Sequence, residues 1–182
     1  MITKTQHTSL QFALAAVFAA ASLAAVPAHA ISDTATASGT VVAPLAITAA
    51  NNLAFGTFAA QTGGSVTVST SGARTVGGAV LPIGGTPGAA RFDIVGVANS
   101  TYTIVLSGST TLVNTTGGGA ETMALTRTSS LTANNTTSGN VATGLLSAGG
   151  LQSLYVGGTL TVASGQVFGV YTGTVIATVE YN

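Results

Sequence analysis

The stretch GVYTGTVIATVEYN, residues 169–182, decides how the rest of the chain is read. Tyr171, Gly173, Val175, Ala177, Val179 and Tyr181 share one face of an extended chain; Thr172, Thr174, Thr178 and Glu180 share the other, with Ile176 the exception. Successive strand side chains point to opposite faces, so this period of two describes a half-buried strand. Val, Ile, Thr and Tyr are also the residue types that suit a pleated surface. The strand runs to Asn182, one residue past a large aromatic, and is expected to leave room for another strand to pair beside it.

At the other end, residues 1–30 read as a secretory signal peptide. Lys4 supplies a positive n-region, residues 12–26 are rich in Ala, Leu, Val and Phe, and Pro27 is followed by the small-x-small pattern Ala28-His29-Ala30. Cleavage is expected after Ala30. The apolar run is shorter than the roughly 20 residues of a spanning helix, so no membrane span is expected after processing. Export to the periplasm, and from there to the cell surface or the medium, follows.

Beyond the signal the chain keeps Arg74, Arg91 and Arg127 against Asp33, Asp93, Glu121 and Glu180, a formal charge of −1, and has no Cys, His, Lys or Trp. Such a surface gives no electrostatic case for nucleic acid, which needs clustered Lys and Arg. Without cysteine no disulfide staples the exported chain, so packing or assembly must hold it. The abundance of Thr, Ser, Asn and Gly with few charges reads as strands with threonine-covered outer faces.

Between the two ends, short apolar pieces alternate with turn residues. SVTVSTS (65–71), ARFDIVGV (90–97), YTIVL (102–106) and ETMALTR (121–127) read as strands, and LQSLYVGGTLTV (151–162) as two strand-like pieces around Gly157-Gly158. Residues 72–88, rich in Gly and Pro, read as loop with a short pairing over Val80 to Ile83, and 131–146 as a long loop or weak edge strand. No segment after the signal has a helical period. This pattern predicts one all-β domain, an antiparallel immunoglobulin-like β-sandwich over residues 44–182.

The catalytic inventory is thin. No Cys or His is left for nucleophilic or acid–base work and no Lys for a Schiff base. Asp93 and Glu121 read as surface groups or partners of Arg91 and Arg127 rather than as a glycosidase-type pair. No closely spaced acids suggest calcium, and the Gly-rich stretch lacks the Lys of a phosphate loop. No catalytic, cofactor or metal site is expected, and the chain is not read as an enzyme.

Residues 31–43 form a second alternating segment. Ala35, Ala37, Gly39, Val41 and Ala43 lie on one side, and the even positions from Ser32 to Thr40 are all Ser or Thr. Pro44 marks its end, since proline lacks an amide hydrogen. This extension has the chemistry of a strand given to another chain, with main-chain hydrogen bonds supplying pairing and alternate side chains filling a groove. Burying Val41, with partial burial of the alanines, contributes roughly 4–7 kcal/mol before ordering costs.

These features resemble those of chaperone–usher fimbrial (pilus) subunits, in which an alternating final strand carries a penultimate tyrosine and a glycine fourteen positions from the end; Tyr181 and Gly169 match. LAFGTF, ARFDIVGV, VGGTLTV and the final segment are also similar to the pilin-like domain-of-unknown-function family 4402. The resemblance implies a donor strand at Ala35, Ala37, Gly39, Val41 and Ala43. It implies a groove-edge strand, held first by a periplasmic chaperone, at Gly169, Tyr171, Val175, Ala177, Val179, Tyr181 and Asn182. The partners it implies are related pilin subunits, the chaperone and an outer-membrane usher, and the role is a fibre subunit in adhesion or biofilm growth. The alternative is a self-complemented secreted sandwich, its own extension folded back, that binds a glycan or a surface partner.

Overall fold

The computed structural model describes residues 29–117 and 121–182, so the signal-peptide reading of residues 1–28 lies outside the described residues. The chain divides between Thr40 and Val41, and every strand belongs to the unit Val41–Asn182. Among the described residues there is no helix, and each strand pair is antiparallel.

The largest sheet has eight strands and curls into a half-barrel. Its path runs β1 (Ala46–Asn51), β6 (Ala90–Val95), β11 (Leu151–Val162), β9 (Thr122–Ser130), β8 (Thr111–Asn114) and β12 (Tyr171–Thr172), with β3 (Gly64–Val68) and β4 (Arg74–Gly78) branching from β11. A second sheet has the order β10 (Thr143–Leu145), β7 (Thr101–Gly108), β13 (Val175–Tyr181). A small third sheet pairs β2 (Thr57–Ala59) with β5 (Leu81–Gly84).

The alternation seen in the sequence determines which side chains are buried. On β6, Ala90, Phe92 and Ile94 are buried while Arg91 and Asp93 face out; on β9, Met123 and Leu125 point inward. Two apolar clusters result. One gathers Phe55, Val66, Val68, Val80, Met123, Leu125, Leu160 and Val162, and the other gathers Phe92, Ile94, Tyr102, Ile104, Leu146, Leu154 and Val156. Leu53 packs against both. The long strand β11 serves both because its partner on one edge changes from β6 (at 151–156) to β3 (at 158–162) across Gly157.

Three local expectations are corrected. Residues 72–88 are not mainly loop: besides β5, which lies where a short pairing was expected, β4 forms there because pairing with β3 overrides the turn-rich composition. Residues 151–162 are one continuous strand, not two pieces around Gly157-Gly158, because β9 pairs across both glycines. The stretch 169–182 is not one strand but two. β7 and β8 follow each other through Ser109 and Thr110 yet lie in different sheets, and the final segment pairs with both. It therefore bends where they part. There Ser109 N donates to Thr174 O (2.9 Å), and Thr174 N donates to Ser109 Oγ (3.0 Å).

Tyr102 is fully buried, and its hydroxyl has no hydrogen-bond partner among the described residues. Burial raises its pKa, so it stays neutral. A desolvated, unpaired hydroxyl is a cost, so Tyr102→Phe is expected to leave stability unchanged or raise it by up to about 1 kcal/mol. The urea midpoint reads this directly.

Candidate functional site

β13 has a neighbour on one side only. It pairs with β7 along its whole length, from Val175↔Gly108 to Tyr181↔Tyr102, and its other edge has no ladder among the described residues. Leu45 and Ile47, at the start of the domain and on β1, pack against the same apolar cluster as Val175, Ala177, Val179 and Tyr181, but β1 pairs only with β6. The inward side chains of β13 are consequently half-buried, whereas those of β6 are buried. This is a sheet edge over an incompletely covered core.

Tyr181 closes one end of that edge. Its hydroxyl accepts from Val97 N (2.7 Å) and donates to Ala43 O (3.3 Å), tying the last strand to the point where the domain begins. Asn182 is exposed, and its amide donates to Thr101 O (3.3 Å). A cleft of about 410 Å³ lies here, lined by Val42, Val97, Thr101 and Tyr181.

At the other end, Tyr171 belongs to β12 and to the other apolar cluster. Its hydroxyl donates to Val167 O (2.7 Å) and accepts from Gln166 Nε2 (2.8 Å). A larger cleft of about 650 Å³ opens beside it, between Phe58 and Ala60 on one wall and Val167 and Tyr171 on the other, with Leu112 and Met123 lining it from β8 and β9. Phe168 stands at the rim, 90% exposed.

The proposed groove-edge residues thus divide. Val175, Ala177, Val179 and Tyr181 share the inward face of β13. Tyr171 lies in the neighbouring sheet, and Gly169 is a turn residue at φ +151° with the Asn114 side chain where a Cβ would stand. Of the candidate donor residues, Ala35, Ala37 and Gly39 precede the β unit, and Val41 and Ala43 belong to it. All five are exposed and none is in a strand; Val41 is 99% exposed.

Three structural supports escaped the sequence reading. Buried Asn114 accepts at Oδ1 from Thr116 N (3.0 Å) and Gly117 N (2.8 Å) and donates to Phe168 O (3.2 Å), fixing one wall of the larger cleft. Arg74 donates to the carbonyls of Phe55 (3.0 Å), Thr57 (3.3 Å) and Gly84 (3.1 Å), fixing the opposite wall. Tyr181 provides the tie to Ala43. The Asn-Thr-Thr run at 114–116 is a recognisable Asx-turn signal, whereas nothing local marks Arg74 beyond the scarcity of charge in the chain.

The ionisable groups form no cluster along the free edge. Arg91 and Asp93 make an exposed pair at 2.7 Å, and Arg91 and Ser153 hydrogen bonds hold the Asp93 carboxyl below the usual carboxylate range. Asp93 sits opposite Ser153, whereas Glu121 adjoins the end of β9 beyond the Ala124↔Thr161 pair. Eight residues of β11 separate those positions, about 26 Å at strand rise, too far for two carboxylates to act on one bond. No trio of metal-ligating side chains exists among the described residues.

The class this defines is an all-β antiparallel protein whose seven-residue last strand, β13, has an open edge, with a cleft at its Tyr181 end and a larger one beside β12. Residues 45–181 match the model of the family described as Domain of unknown function (DUF4402), and the chain belongs to that family. No curated protein and no solved structure matches the chain.

Proposed function

We propose that the protein is a structural subunit of a surface fibre. In this reading the domain is an immunoglobulin-like sandwich lacking one strand, and residues 31–43 of a neighbouring copy supply it along β13. The observation that carries the reading is the unpaired edge of β13 over half-buried Val175, Ala177, Val179 and Tyr181, in a chain whose alternating segment 31–43 has no strand partner. An open edge above apolar side chains invites aggregation, and an added strand supplies both main-chain partners and apolar cover.

The position of Ala43 beside Tyr181 favours antiparallel addition. A donor running antiparallel to β13 brings its own domain to the Val175 end, away from the Tyr181 end where the acceptor's own domain begins. Copies then stack end to end in an open, head-to-tail series. A parallel donor would bring its domain to the Tyr181 end, where the acceptor's own segment emerges. Before assembly, a periplasmic chaperone holding the same edge and an usher at the outer membrane are the partners this reading calls for. Export by the signal peptide and adhesion or biofilm growth through the fibre complete it.

Deletion of residues 31–43 tests the proposal. The domain should fold as before, because no sheet includes that segment, and should not form fibres. Fibres of normal length from the truncated chain would refute the donor role.

The cleft beside Phe168 favours a second reading, a secreted module that binds a glycan or a surface partner. A saturable hit in a glycan screen that is lost in Phe168→Ala would support it.

A further inference from the structure

We infer that the incoming segment occupies β13 in a single register, with Val42 of the donor opposite Ile176 and Val41 opposite Ala177. The inference rests on the donated-strand reading above and adds to it which residues meet.

Each of the two alternating segments has one residue that breaks its pattern. On β13 the outward positions are Ile176, Thr178 and Glu180, and Ile176 is the apolar exception, 48% exposed. In the extension the outward positions run Thr34, Thr36, Ser38, Thr40 and Val42, and Val42 is the apolar exception, 59% exposed. An exposed valine or isoleucine on a Thr-covered face is unfavourable alone, but two placed directly opposite on adjacent strands shield each other. Of the antiparallel registers that keep the alternation in phase, only one brings the two exceptions together. The same register sets Thr40 opposite Thr178 and Ser38 opposite Glu180, both favourable polar pairs.

The inward face agrees independently. This register sets Ala43 against Val175, Val41 against Ala177, Gly39 against Val179 and Ala37 against Tyr181. Each large side chain meets a small one, the arrangement that fills a core layer without voids or overlap. Sliding the donor by two residues one way sets Val41 against Val179 and Ala43 against Ala177, crowding one layer and emptying the next. Sliding it the other way sets Gly39 against Ala177 and leaves a hole. The chosen register also matches lengths, since the last donor residue before Pro44 meets the first residue of β13. It keeps Asp33, the only charged side chain in the extension, beyond Asn182 and in water, whereas 34–43 and the inward face of β13 are uncharged.

The chain has no cysteine, so disulfide trapping reads the register directly. The full chain carrying Val42→Cys is refolded from denaturant with an equal amount of full chain carrying Ile176→Cys, Thr174→Cys or Thr178→Cys, and oxidised. These four positions are exposed, so the substitutions spare the core. Strand neighbours directly opposite satisfy disulfide geometry, and those displaced by two residues do not. The expected result is a reducible band of doubled mass for the Ile176→Cys mixture, above the level given by Val42→Cys alone. A dominant band with Thr174→Cys or Thr178→Cys overturns this register while leaving strand donation standing. No cross-link with any of the three, in chains that stay monomeric, overturns the register and the donation reading together.

Discussion

Replacing Gly157 by valine is expected to destabilise the domain by about 3 kcal/mol or more, the upper part of the range for overpacking. Gly157 lies where β11 exchanges β6 for β3, and there the turn leaving β3 crosses against its backbone. A Cβ at this position would overlap Val68 O and come within 2.9 Å of the Ser69 carbonyl carbon. Both obstacles are main chain, so no side chain can swing away. Val68 and Val156 on either side are fully buried, which transmits any shift into both apolar clusters. A typical domain has only about 5–15 kcal/mol in hand, so a loss on this scale is a large fraction of the whole. Urea unfolding gives the value from the midpoint, and Gly84→Ala is the control. A Cβ there meets nothing within 4 Å, and its effect should stay within about 0.5 kcal/mol. Equal midpoints for the two variants would mean that the β11 crossing is not a close approach.

Asn114→Ala is the second large effect. The amide side chain is a hub between two turns, satisfying Thr116 N and Gly117 N on one and Phe168 O on the other. Alanine leaves two donors and an acceptor without partners, at a cost of about 2–3 kcal/mol if part of the deficit is met by water. The residues that lose support are those before β12, where Thr115 N and Thr115 Oγ1 donate to Val170 O and Val170 N donates to Thr116 Oγ1. Hydrogen exchange should accelerate at Thr116, Gly117 and Val170 ahead of the β11 amides, because the loss is local to the cleft wall. Uniform acceleration across the domain would instead show that the hub supports the whole domain.

How far the sequence led depends on the range of the interaction concerned. Strand character was legible wherever one face is buried: Phe92 and Ile94, Met123 and Leu125, and Val175, Ala177, Val179 and Tyr181 face inward as their spacing requires. Alternation is a local property, and it survives whatever the strand pairs with. Pairing itself is not local. β4 lay hidden in a Gly- and Pro-rich stretch because its partner β3 stabilises it. The bend at Gly173 and Thr174 was invisible because its cause is the parting of β7 from β8 at Ser109, 65 residues upstream of Thr174. Of the candidate site, the β13 edge could be read and the clefts could not, since they are built from segments far apart in the chain. Ile176 marks the boundary between the two cases. As a break in alternation it was plain from the sequence, but its exposure on an open edge gives it a use.

If residues 31–43 of one copy cover the free edge of β13 in another, the particle size of the chain lacking residues 31–43, taken alone and with a peptide of those residues, together with amide exchange along β13, reads it directly. The expected result is a folded monomer that never elongates, and slowed exchange on adding the peptide at those β13 amides that do not donate to β7. Fibres from the truncated chain, or β13 amides indifferent to the peptide, would contradict it.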